Sequence, residues 1–332
     1  MSESADVILV TGATGYIGSR LTRQLLATEG VSVRALVRDP AKAADLQQWG
    51  AEIAVGDLTD VESLMAAVQG TTRIYHAAAC VDEQASKSEL WSVNVEGTQN
   101  LVEAALAAGM PHFIHLSSCA VYGSVQLIGI DEQTPIRTGA SPYHDSKVAA
   151  EEVVWAAIDR GLPMTIARPS QVYGPGSPNF TIRPVEAIRS GSMMLVDGGR
   201  FLCKPVYIDN LLDGLELIAD RPQALGQAFN LVDGYAVPWR LFFGAYAHML
   251  GRPSLPSVPF PIAWLAAWFF EIKASAQGRR PALTRRTVMS LRSTNTFSNG
   301  KARRLLGWKP RIGFEEGMRR TANWLDEAGY LS

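Results

Sequence analysis

The amino-acid sequence predicts an α/β fold in which a doubly wound parallel sheet is followed by a smaller mixed α/β C-terminal domain. Three observations predict it. Short β-branched runs alternate with helix-like segments in the first half, a glycine-rich turn follows the first run, and the alternation fades after about Arg168. Such alternation is typical of right-handed βαβ units on a parallel sheet. We therefore expect one domain over residues 1–170, with a return segment near 203–220, and a second domain over residues 171–332.

The individual elements follow from runs of β-branched residues and from the helical spacing of apolar residues. The predicted strands cover residues 7–10, 31–37, 52–55, 74–78, 113–117 and 164–167. The predicted helices run from the glycine turn to residue 26 and over residues 40–49, 94–108, 146–158, 210–219, 239–250 and 315–327. The pattern contains neither an internal repeat nor a low-complexity linker.

Composition limits the functional classes. The 332 residues include 31 Lys and Arg and 32 Asp and Glu, so the net charge of −1 gives no general attraction to nucleic acid. Cys80, Cys119 and Cys203 are too few and too widely spaced for a disulfide framework or a zinc site, which favours a reducing, cytoplasmic location. The N-terminus has no basic region before an apolar stretch, so no secretory signal is expected. The longest apolar run, residues 258–270, is shorter than the roughly 20 residues that span a bilayer.

A glycine-rich turn lies between the first strand and the first helix. Residues 11–18 read TGATGYIG, which spaces Gly12, Gly15 and Gly18 as G-x-x-G-x-x-G. The first two glycines permit a tight turn and a close backbone approach to a pyrophosphate, and Gly18 lets the helix pack on the strand. For the motif alone, a tight strand–helix connection without a ligand is the alternative. Its place after the first strand of an alternating pattern favours a dinucleotide-binding Rossmann domain.

The end of the second strand indicates which dinucleotide binds. Arg38 stands where an acidic residue usually accepts the ribose hydroxyls, and Lys42 follows one helical turn later. A guanidinium binds a phosphate through two hydrogen bonds, so we expect NADP(H) in preference to NAD(H). In the alternative interpretation, Arg38 is a solvated surface residue and Asp39 binds the ribose. Asp57, after the third strand, accepts a hydrogen bond from the adenine amino group or else caps a helix.

Three side chains have the spacing of an acid–base site. Tyr143 and Lys147 are four residues apart at the start of a helix and therefore share one face. A phenol has a pKa of about 10. A nearby ammonium stabilises the phenolate, which lets Tyr143 exchange a proton with a carbonyl or alcohol oxygen. Such a pair also occurs by chance in helices. A serine hydroxyl in the segment LSSCAVYG, at the end of the fifth strand, either holds the substrate oxygen or caps its own loop.

Together with the motifs GDLTD, HAAA, NVEGTQNL, YHDSK, ARPSQVYGPG and VYIDNLLDG, these features resemble the extended short-chain dehydrogenase/reductase family over nearly the whole chain. The resemblance implies a nicotinamide-dependent oxidoreductase in which Ser118, Tyr143 and Lys147 are catalytic. It selects Ser118 over Ser117 and implies that Asn94 braces the central helix and the cofactor. The expected cofactor-binding residues are Gly12, Thr14, Gly15, Tyr16, Ile17, Gly18, Arg38, Lys42, Asp57, Leu58, Ala77, Ala78, Ala79, Ser117, Tyr143, Lys147, Pro169, Ser170 and Val172.

Two later segments indicate the branch of this family. Sugar-nucleotide epimerases and dehydratases usually carry Asn and Arg where this chain has Gln171 and Cys203. The chain is more similar to the 3β-hydroxysteroid dehydrogenase-like and dihydroflavonol-reductase-like branches, which implies a bulky apolar ketone or aldehyde and its alcohol as substrates. A sugar-nucleotide epimerase and a non-catalytic NADP-sensing protein are the alternatives. The second domain is then substrate-binding, and the expected contacts are Val81, Cys119, Ala120, Gln171 and Phe180, without a metal.

Residues 258–311 combine an apolar run with a basic one. The apolar run at residues 258–270 fits a pocket wall or, alternatively, a buried helix. Residues 273–311 then contain eleven Lys or Arg and no Asp or Glu. A solvated face is the ordinary explanation of such a run. Beside Trp264, Trp268, Phe269 and Phe270, it also fits a peripheral membrane contact or a dock for an anionic carrier such as a thioester cofactor. A second copy of the chain, in a homodimer, is a further alternative partner.

Overall fold

A seven-stranded sheet is the centre of the computed structural model, which describes residues 6–82, 84–123 and 125–331. In chain order the strands are β1 (Asp6–Thr11), β2 (Val31–Val37), β3 (Glu52–Val55), β4 (Arg73–His76), β5 (His112–Leu116), β6 (Met164–Pro169), β7 (Gln171–Tyr173), β8 (Leu195–Val196), β9 (Leu202–Cys203), β10 (Pro205–Tyr207), β11 (Gln227–Leu231), β12 (Val237–Pro238) and β13 (Ser257–Val258). The sheet has the order β11-β6-β5-β4-β1-β2-β3, and every neighbouring pair in it is parallel. The predicted fold class is confirmed.

Helices cover both faces of this sheet. In chain order they are α1 (Tyr16–Leu26), α2 (Ala44–Gln48), α3 (Val61–Val68), α4 (Lys87–Trp91), α5 (Gly97–Ala107), α6 (Pro142–Asp159), α7 (Arg183–Arg189), α8 (Ile208–Asp220), α9 (Trp239–Met249), α10 (Phe260–Ala276), α11 (Arg285–Ser290), α12 (Gly300–Leu306) and α13 (Phe314–Glu327). Short 3₁₀ turns and the π-helical turns Ser92–Glu96 and Pro178–Ile182 lie between some of them.

The alternating side chains of β1 divide the core into two layers. Ile8 and Val10 point to the layer that contains α1, α2 and α8, whereas Leu9 points to the layer that contains α3, α5 and α6. All three side chains are fully buried. A parallel strand buried on both faces has this continuous apolar sequence rather than an apolar–polar alternation.

The strand order reverses between β1 and β4. From β1 the chain proceeds to β2 and β3 on one side, and then crosses to β4, β5 and β6 on the other. The carboxyl ends of β1 and β4 are in register, with Thr11 beside His76. Ligands of open parallel sheets bind at such a reversal point, so this edge is where a site is expected.

The predicted sheet strands are confirmed to within two residues at either end. The seventh strand, β11, has no β-branched residue and was not predicted; pairing with β6 makes it a strand. The helix predicted over residues 40–49 is instead a 3₁₀ turn, Pro40–Lys42, followed by α2. The helix predicted from residue 146 begins at Pro142, because the Ser141 hydroxyl caps it by accepting the His144 N–H. The division at residues 170 and 171 stays a prediction.

Helix α10 corrects the expectation of a buried apolar helix. Its small residues Ala263, Ala267 and Ala274 are buried, whereas Leu265 and Phe269 are 58% and 60% exposed. Its burial therefore rests on alanines and not on its large apolar side chains. Among the described residues, no helix is both long and apolar enough to cross a membrane.

Candidate active site

The glycine-rich turn has the geometry of a cradle for an anion. Gly12 has a φ of +68°, and a Cβ on it would lie 2.6 Å from the backbone nitrogen of Ala78. A Cβ on Gly18 would overlap the carbonyl oxygen of Gly12, so the start of α1 lies directly against the turn. Gly15 precedes α1 without a side-chain cap, and the first turn of α1 has no acidic residue. The open backbone N–H groups of such a helix end favour a phosphate, so the turn fits a dinucleotide pyrophosphate.

A chain of buried hydrogen bonds joins this turn to the next strand and helix. The hydroxyl of Thr11 lies 2.8 Å from Nδ1 of His76, and Nε2 of His76 lies 3.0 Å from Oγ1 of Thr98. Thr98 in turn donates to the backbone carbonyl of Asn94 at 2.7 Å. Asn94 was predicted as a site residue, whereas Thr11, His76 and Thr98 were not, although Thr98 stands four residues after Asn94 and hence on the same helical face. These hydrogen bonds fix the relative position of β1, β4 and the π-helical turn.

Asn94 connects three segments of the site. Its side-chain oxygen accepts the Cys80 N–H at 2.7 Å, and its Nδ2 donates to the Cys80 carbonyl and to Oγ of Ser146, both at 3.0 Å. Ser146 then donates to the backbone carbonyl of Tyr143 at 2.8 Å. Asn94 lies in the π-helical turn Ser92–Glu96, and π turns within helices often occur at functional sites.

The end of β2 presents two cations to solvent. The side chains of Arg38 and Lys42 are 78% and 75% exposed, and each has a carboxylate oxygen 3.9 Å away, on Asp57 and Asp39 respectively. Asp39 caps the 3₁₀ turn by accepting the Ala41 N–H at 3.1 Å. This turn contact uses one oxygen of the carboxylate that would bind the ribose of NAD(H).

Asp57 forms a local turn after β3. Burial favours its protonated form, but hydrogen bonds from the backbone N–H and the hydroxyl of Thr59, with a contribution from Arg38, lower the pKa of Asp57 below its usual value. The helix cap is a different residue, Asp60, which accepts the Ser63 N–H. The carboxylate of Asp57 is therefore charged and lies at the edge of the predicted adenosine site.

The three predicted catalytic residues come from two neighbouring elements. Tyr143 and Lys147 lie in the first turns of α6, and Nζ of Lys147 donates to the carbonyl of Leu116, the last residue of β5, at 2.9 Å. Ser118 follows β5 and caps a 3₁₀ turn by accepting the Ala120 N–H at 3.1 Å. The hydroxyl of Ser118 thus serves as the local cap, and the residue is partly exposed just beyond the strand end.

Lys147 is almost completely buried, and its neighbours determine its charge. Burial lowers the pKa of Lys147 to about 8, while the carboxylate of Glu151 opposes this shift. Burial and the charge of Lys147 together lower the pKa of His76 to about 3 and that of His115 well below its usual value. Both imidazoles are therefore neutral at physiological pH. The ammonium of Lys147 therefore supplies positive charge to this part of the site, and the two imidazoles supply none.

A buried ion pair lies beneath Lys147. Arg168 donates to both carboxylate oxygens of Glu151, at 2.9 and 2.5 Å, and both side chains are at most 3% exposed. Ser117 donates its hydroxyl hydrogen to the same carboxylate, so its side chain belongs to this interior network. Glu151 stands four residues after Lys147, and this i, i+4 spacing was the available sequence signal for it. Tyr122 accepts a further hydrogen bond from Arg168 at 2.9 Å.

The segment after β6 is tied to the strand pair β7 and β10. Ser170 donates to the backbone carbonyl of Lys204 at 2.5 Å, and the side-chain oxygen of Gln171 accepts the Lys204 N–H at 2.6 Å. Cys203 is fully buried, and burial raises the pKa of its thiol. Lys204 is also buried, its Nζ donates to the Leu202 carbonyl, and burial lowers its pKa to about 8.

The remaining predicted residues are placed as follows. Val81 is 55% exposed, the buried thiol of Cys119 points to the carbonyl of Arg168, and Ala120 is half-buried. The phenol oxygen of Tyr16 is buried and approaches Gly174, so this side chain faces the protein interior. Thr14 lies in the glycine-rich turn and Ile17 in the first turn of α1, while Leu58, Ala77 and Ala79 follow the ends of β3 and β4. Pro169 ends β6, Val172 lies in β7, and Phe180 lies in the π-helical turn Pro178–Ile182.

Comparison with known proteins adds the family. The model of the NAD dependent epimerase/dehydratase family matches residues 8–231. The chain belongs to this family. Its members with this architecture are the extended short-chain dehydrogenases/reductases, and the chain is an oxidoreductase of that group.

Three relatives illustrate the range of this family. The chain is 33% identical to the 4-hydroxy-2-methyl-3-oxo-4-farnesyl-3,4-dihydroquinoline-1-oxide ketoreductase of Stigmatella aurantiaca, with 93% of each chain covered. It is 30% identical to a 3-beta-hydroxysteroid dehydrogenase of Mycolicibacterium neoaurum, over 94% of this chain and 89% of the relative. A double mutant of a dTDP-glucose 4,6-dehydratase from Streptomyces venezuelae, solved with NAD, has a TM-score of 0.79 at 26% identity, covering 96% of this chain and 97% of that one.

Proposed function

We propose that the protein is an NADP(H)-dependent reductase that interconverts a bulky apolar ketone or aldehyde and its alcohol. The observation that supports this most directly is the position of Lys147. Its ammonium reaches the end of β5, and the same face of α6 carries Tyr143 one turn earlier, with Ser118 two residues beyond that strand end. A phenol, a cation and a hydroxyl at the carboxyl edge of a dinucleotide-type sheet constitute a carbonyl-reducing site.

The side chains divide the proton chemistry between them. Tyr143 gives its phenolic proton to the substrate carbonyl oxygen during reduction and takes it back from the alcohol in reverse. Ser118 donates a hydrogen bond to the same oxygen while it continues to accept the Ala120 N–H, because a hydroxyl has one donor and two acceptor positions. Lys147 stabilises the phenolate of Tyr143 through its charge. When bound, a nicotinamide cofactor would supply the hydride, and the glycine-rich turn would hold its pyrophosphate.

The preference for NADP(H) rests on the end of β2. The exposed guanidinium of Arg38 and the ammonium of Lys42 lie where a 2′-phosphate would bind, and Asp39, the rival ligand for a ribose, caps the adjoining turn. A phosphate would add charge-assisted hydrogen bonds to these cations. NAD(H) is the alternative cofactor. The carboxylate of Asp39 is half-exposed and can accept hydrogen bonds from the ribose hydroxyls that NAD(H) leaves free.

The apolar substrate class is supported by two observations. The named substrates of two relatives carry a farnesyl group or a steroid skeleton. In addition, neither the thiol of Cys203 nor the amide of Gln171 can supply a cation to a sugar diphosphate. The thiol is also buried, and the amide oxygen accepts the Lys204 N–H. The exposed side chains of α10 lend no support to a pocket wall at residues 258–270. A buried apolar ligand gains about 25 cal/mol for each Å² removed from water.

A substrate screen tests this function. NADPH absorbance is followed with steroid, farnesyl-bearing and long-chain ketones, with Tyr143→Phe as the blank, and thermal shifts are measured with the same ketones and with dTDP- and UDP-sugars. We expect NADPH consumption and stabilisation by apolar ketones only. Stabilisation by nucleotide sugars without any effect of ketones would instead support the epimerase alternative.

A further inference from the structure

Helix α10 reverses the usual arrangement of a surface helix. Its buried residues are small, namely Ala263, Ala267 and Ala274, and its large apolar side chains face solvent. An ordinary surface helix buries its large apolar residues and exposes polar ones. The exposed set, which we call the α10 face, consists of Ile262, Trp264, Leu265, Trp268, Phe269, Phe270 and Ile272, whose side chains are 37–60% exposed.

The spacing of the α10 face makes it continuous. Ile262, Leu265, Phe269 and Ile272 follow one another at intervals of three or four residues and form one stripe along the helix. At about 1.5 Å per residue this stripe is roughly 15 Å long. Contiguous apolar surface of this kind on a folded protein marks an interaction site.

The charges that follow the α10 face along the chain are positive, and the acidic residue within α10, Glu271, is paired with Arg285. Residues 273–311 hold eleven of the 31 Lys and Arg and none of the 32 Asp and Glu, so this segment carries +11 and the rest of the chain −12. Some of these cations are paired within the protein, such as Arg280 with Asp82. Lys273, Arg279 and Arg286 are exposed and form no salt bridge with any residue that the structure describes.

We propose that the α10 face, together with Lys273, Arg279 and Arg286, binds the surface of an anionic lipid bilayer. Exposed Trp and Phe next to Lys and Arg are the combination that lies in the headgroup region, where the rings enter the acyl boundary and the cations meet lipid phosphates. Charge complementarity selects this occupant over a second copy of the chain. A symmetric pair would place the same positive segment against itself.

The position of α10 relates the proposed membrane contact to substrate binding. The segment that follows α10 contacts the loop after β4, where Arg280 pairs with Asp82 and Gln84 donates to the Pro281 carbonyl at 3.2 Å. The same loop contains Val81, a predicted substrate contact, directly before Asp82. A membrane at α10 would therefore lie close to this predicted contact, where an apolar substrate dissolved in lipid could reach it. This use rests on the proposed function, whereas the membrane contact does not.

Vesicle flotation of the full-length protein tests the contact. With vesicles of phosphatidylglycerol and phosphatidylcholine, we expect the protein to float, and with phosphatidylcholine alone to bind at least about tenfold less. The variant Leu265→Ser/Phe269→Ser should bind the mixed vesicles at least about tenfold less, because both side chains leave the interface. The matched control is Met65→Ser, which removes an exposed apolar side chain from α3. Thermal unfolding of each variant verifies that it is folded.

A charge variant separates lipid binding from simple hydrophobic adhesion. Arg279→Glu/Arg286→Glu should abolish the preference for phosphatidylglycerol, while Arg221→Glu, at an exposed arginine elsewhere, should keep it. Absence of wild-type flotation, or equal flotation of the serine variant, overturns the proposal. So does a dimer in light scattering that the serine variant dissociates without any vesicle binding, or binding of a soluble thioester cofactor alone. NADPH consumption with a water-soluble ketone is measured in parallel, since it reports on the proposed function independently of the membrane.

Discussion

Nζ of Lys147 lies 2.9 Å from the backbone carbonyl oxygen of Leu116 and donates a hydrogen bond to it. This contact joins the start of α6 to the last residue of β5. Because Tyr143 stands one turn before Lys147, the same contact fixes the height of the tyrosine above the sheet edge. The relation between a helix and a strand end, rather than the spacing of two residues alone, therefore defines the candidate acid–base pair.

Replacement of Tyr143 by Phe removes the proposed proton donor but keeps the ring. We expect turnover to fall by roughly 100-fold or more, the usual scale for a general acid, while the cofactor affinity changes little. Steady-state kinetics and cofactor titration are compared for this variant and for Tyr330→Phe, which should behave like the wild type. A Tyr143→Phe enzyme with most of the wild-type rate would exclude this residue from the mechanism.

Reversal of the charge at Arg38 tests the cofactor preference. Arg38→Asp should weaken NADP binding by about 1.5–3 kcal/mol, the scale of a hydrogen bond to a charged group, and should leave NAD binding unchanged or improved. Isothermal titration calorimetry measures both cofactors, and Arg221→Asp serves as the charge-matched control. Equal affinity of the wild type for NADP and NAD would show that Asp39 or the backbone governs the choice.

The buried pair of Glu151 and Arg168 should be far more sensitive than an exposed one. Glu151→Gln leaves the guanidinium of Arg168 uncompensated in the interior, which should lower the free energy of unfolding by about 3–5 kcal/mol. Glu103→Gln interrupts the exposed pair with Arg160 and should change the free energy of unfolding far less, because solvent screens this pair. Denaturant unfolding measures both. Similar losses for the two variants would contradict the role assigned to burial.

Lys204 makes the stability depend on pH in a definite direction. Its pKa is lowered from 10.5 to about 8 because burial disfavours the ammonium form. Between these values the unfolded state binds more protons, so the contribution of this residue to the free energy of unfolding rises with pH. Lys204→Met should stabilise the protein by roughly 3 kcal/mol at pH 7 and by progressively less toward pH 10.

Denaturant unfolding at pH values from 7 to 10 checks this expectation for Lys204. Lys309→Met, at an exposed lysine, is the control and should show no difference from the wild type across the range. A Lys204→Met difference that stays constant with pH would show that packing, and not the buried charge, distinguishes the two side chains.

Local sequence signals predicted the first half of the fold well and the second half less well. β1 to β6 have β-branched or apolar runs that identify strands without tertiary information. β11 has no such run and becomes a strand only because β6 offers an unpaired edge. Helix α10 was recognised as apolar, but the sequence did not predict that its alanines would face the protein and its large side chains the solvent.

The parallel α/β fold, the glycine-rich turn and the i, i+4 spacing of Tyr143 and Lys147 could be predicted from sequence, because each depends on residues close together in the chain. The hydrogen-bond partners follow only from the folded arrangement: Leu116 for Lys147, Glu151 for Arg168, and Thr98 for His76. Those contacts join residues 17–31 positions apart, across separate strands and helices. Such pairs form only when the sheet order brings the elements together, and burial then sets their charge, which no local pattern records.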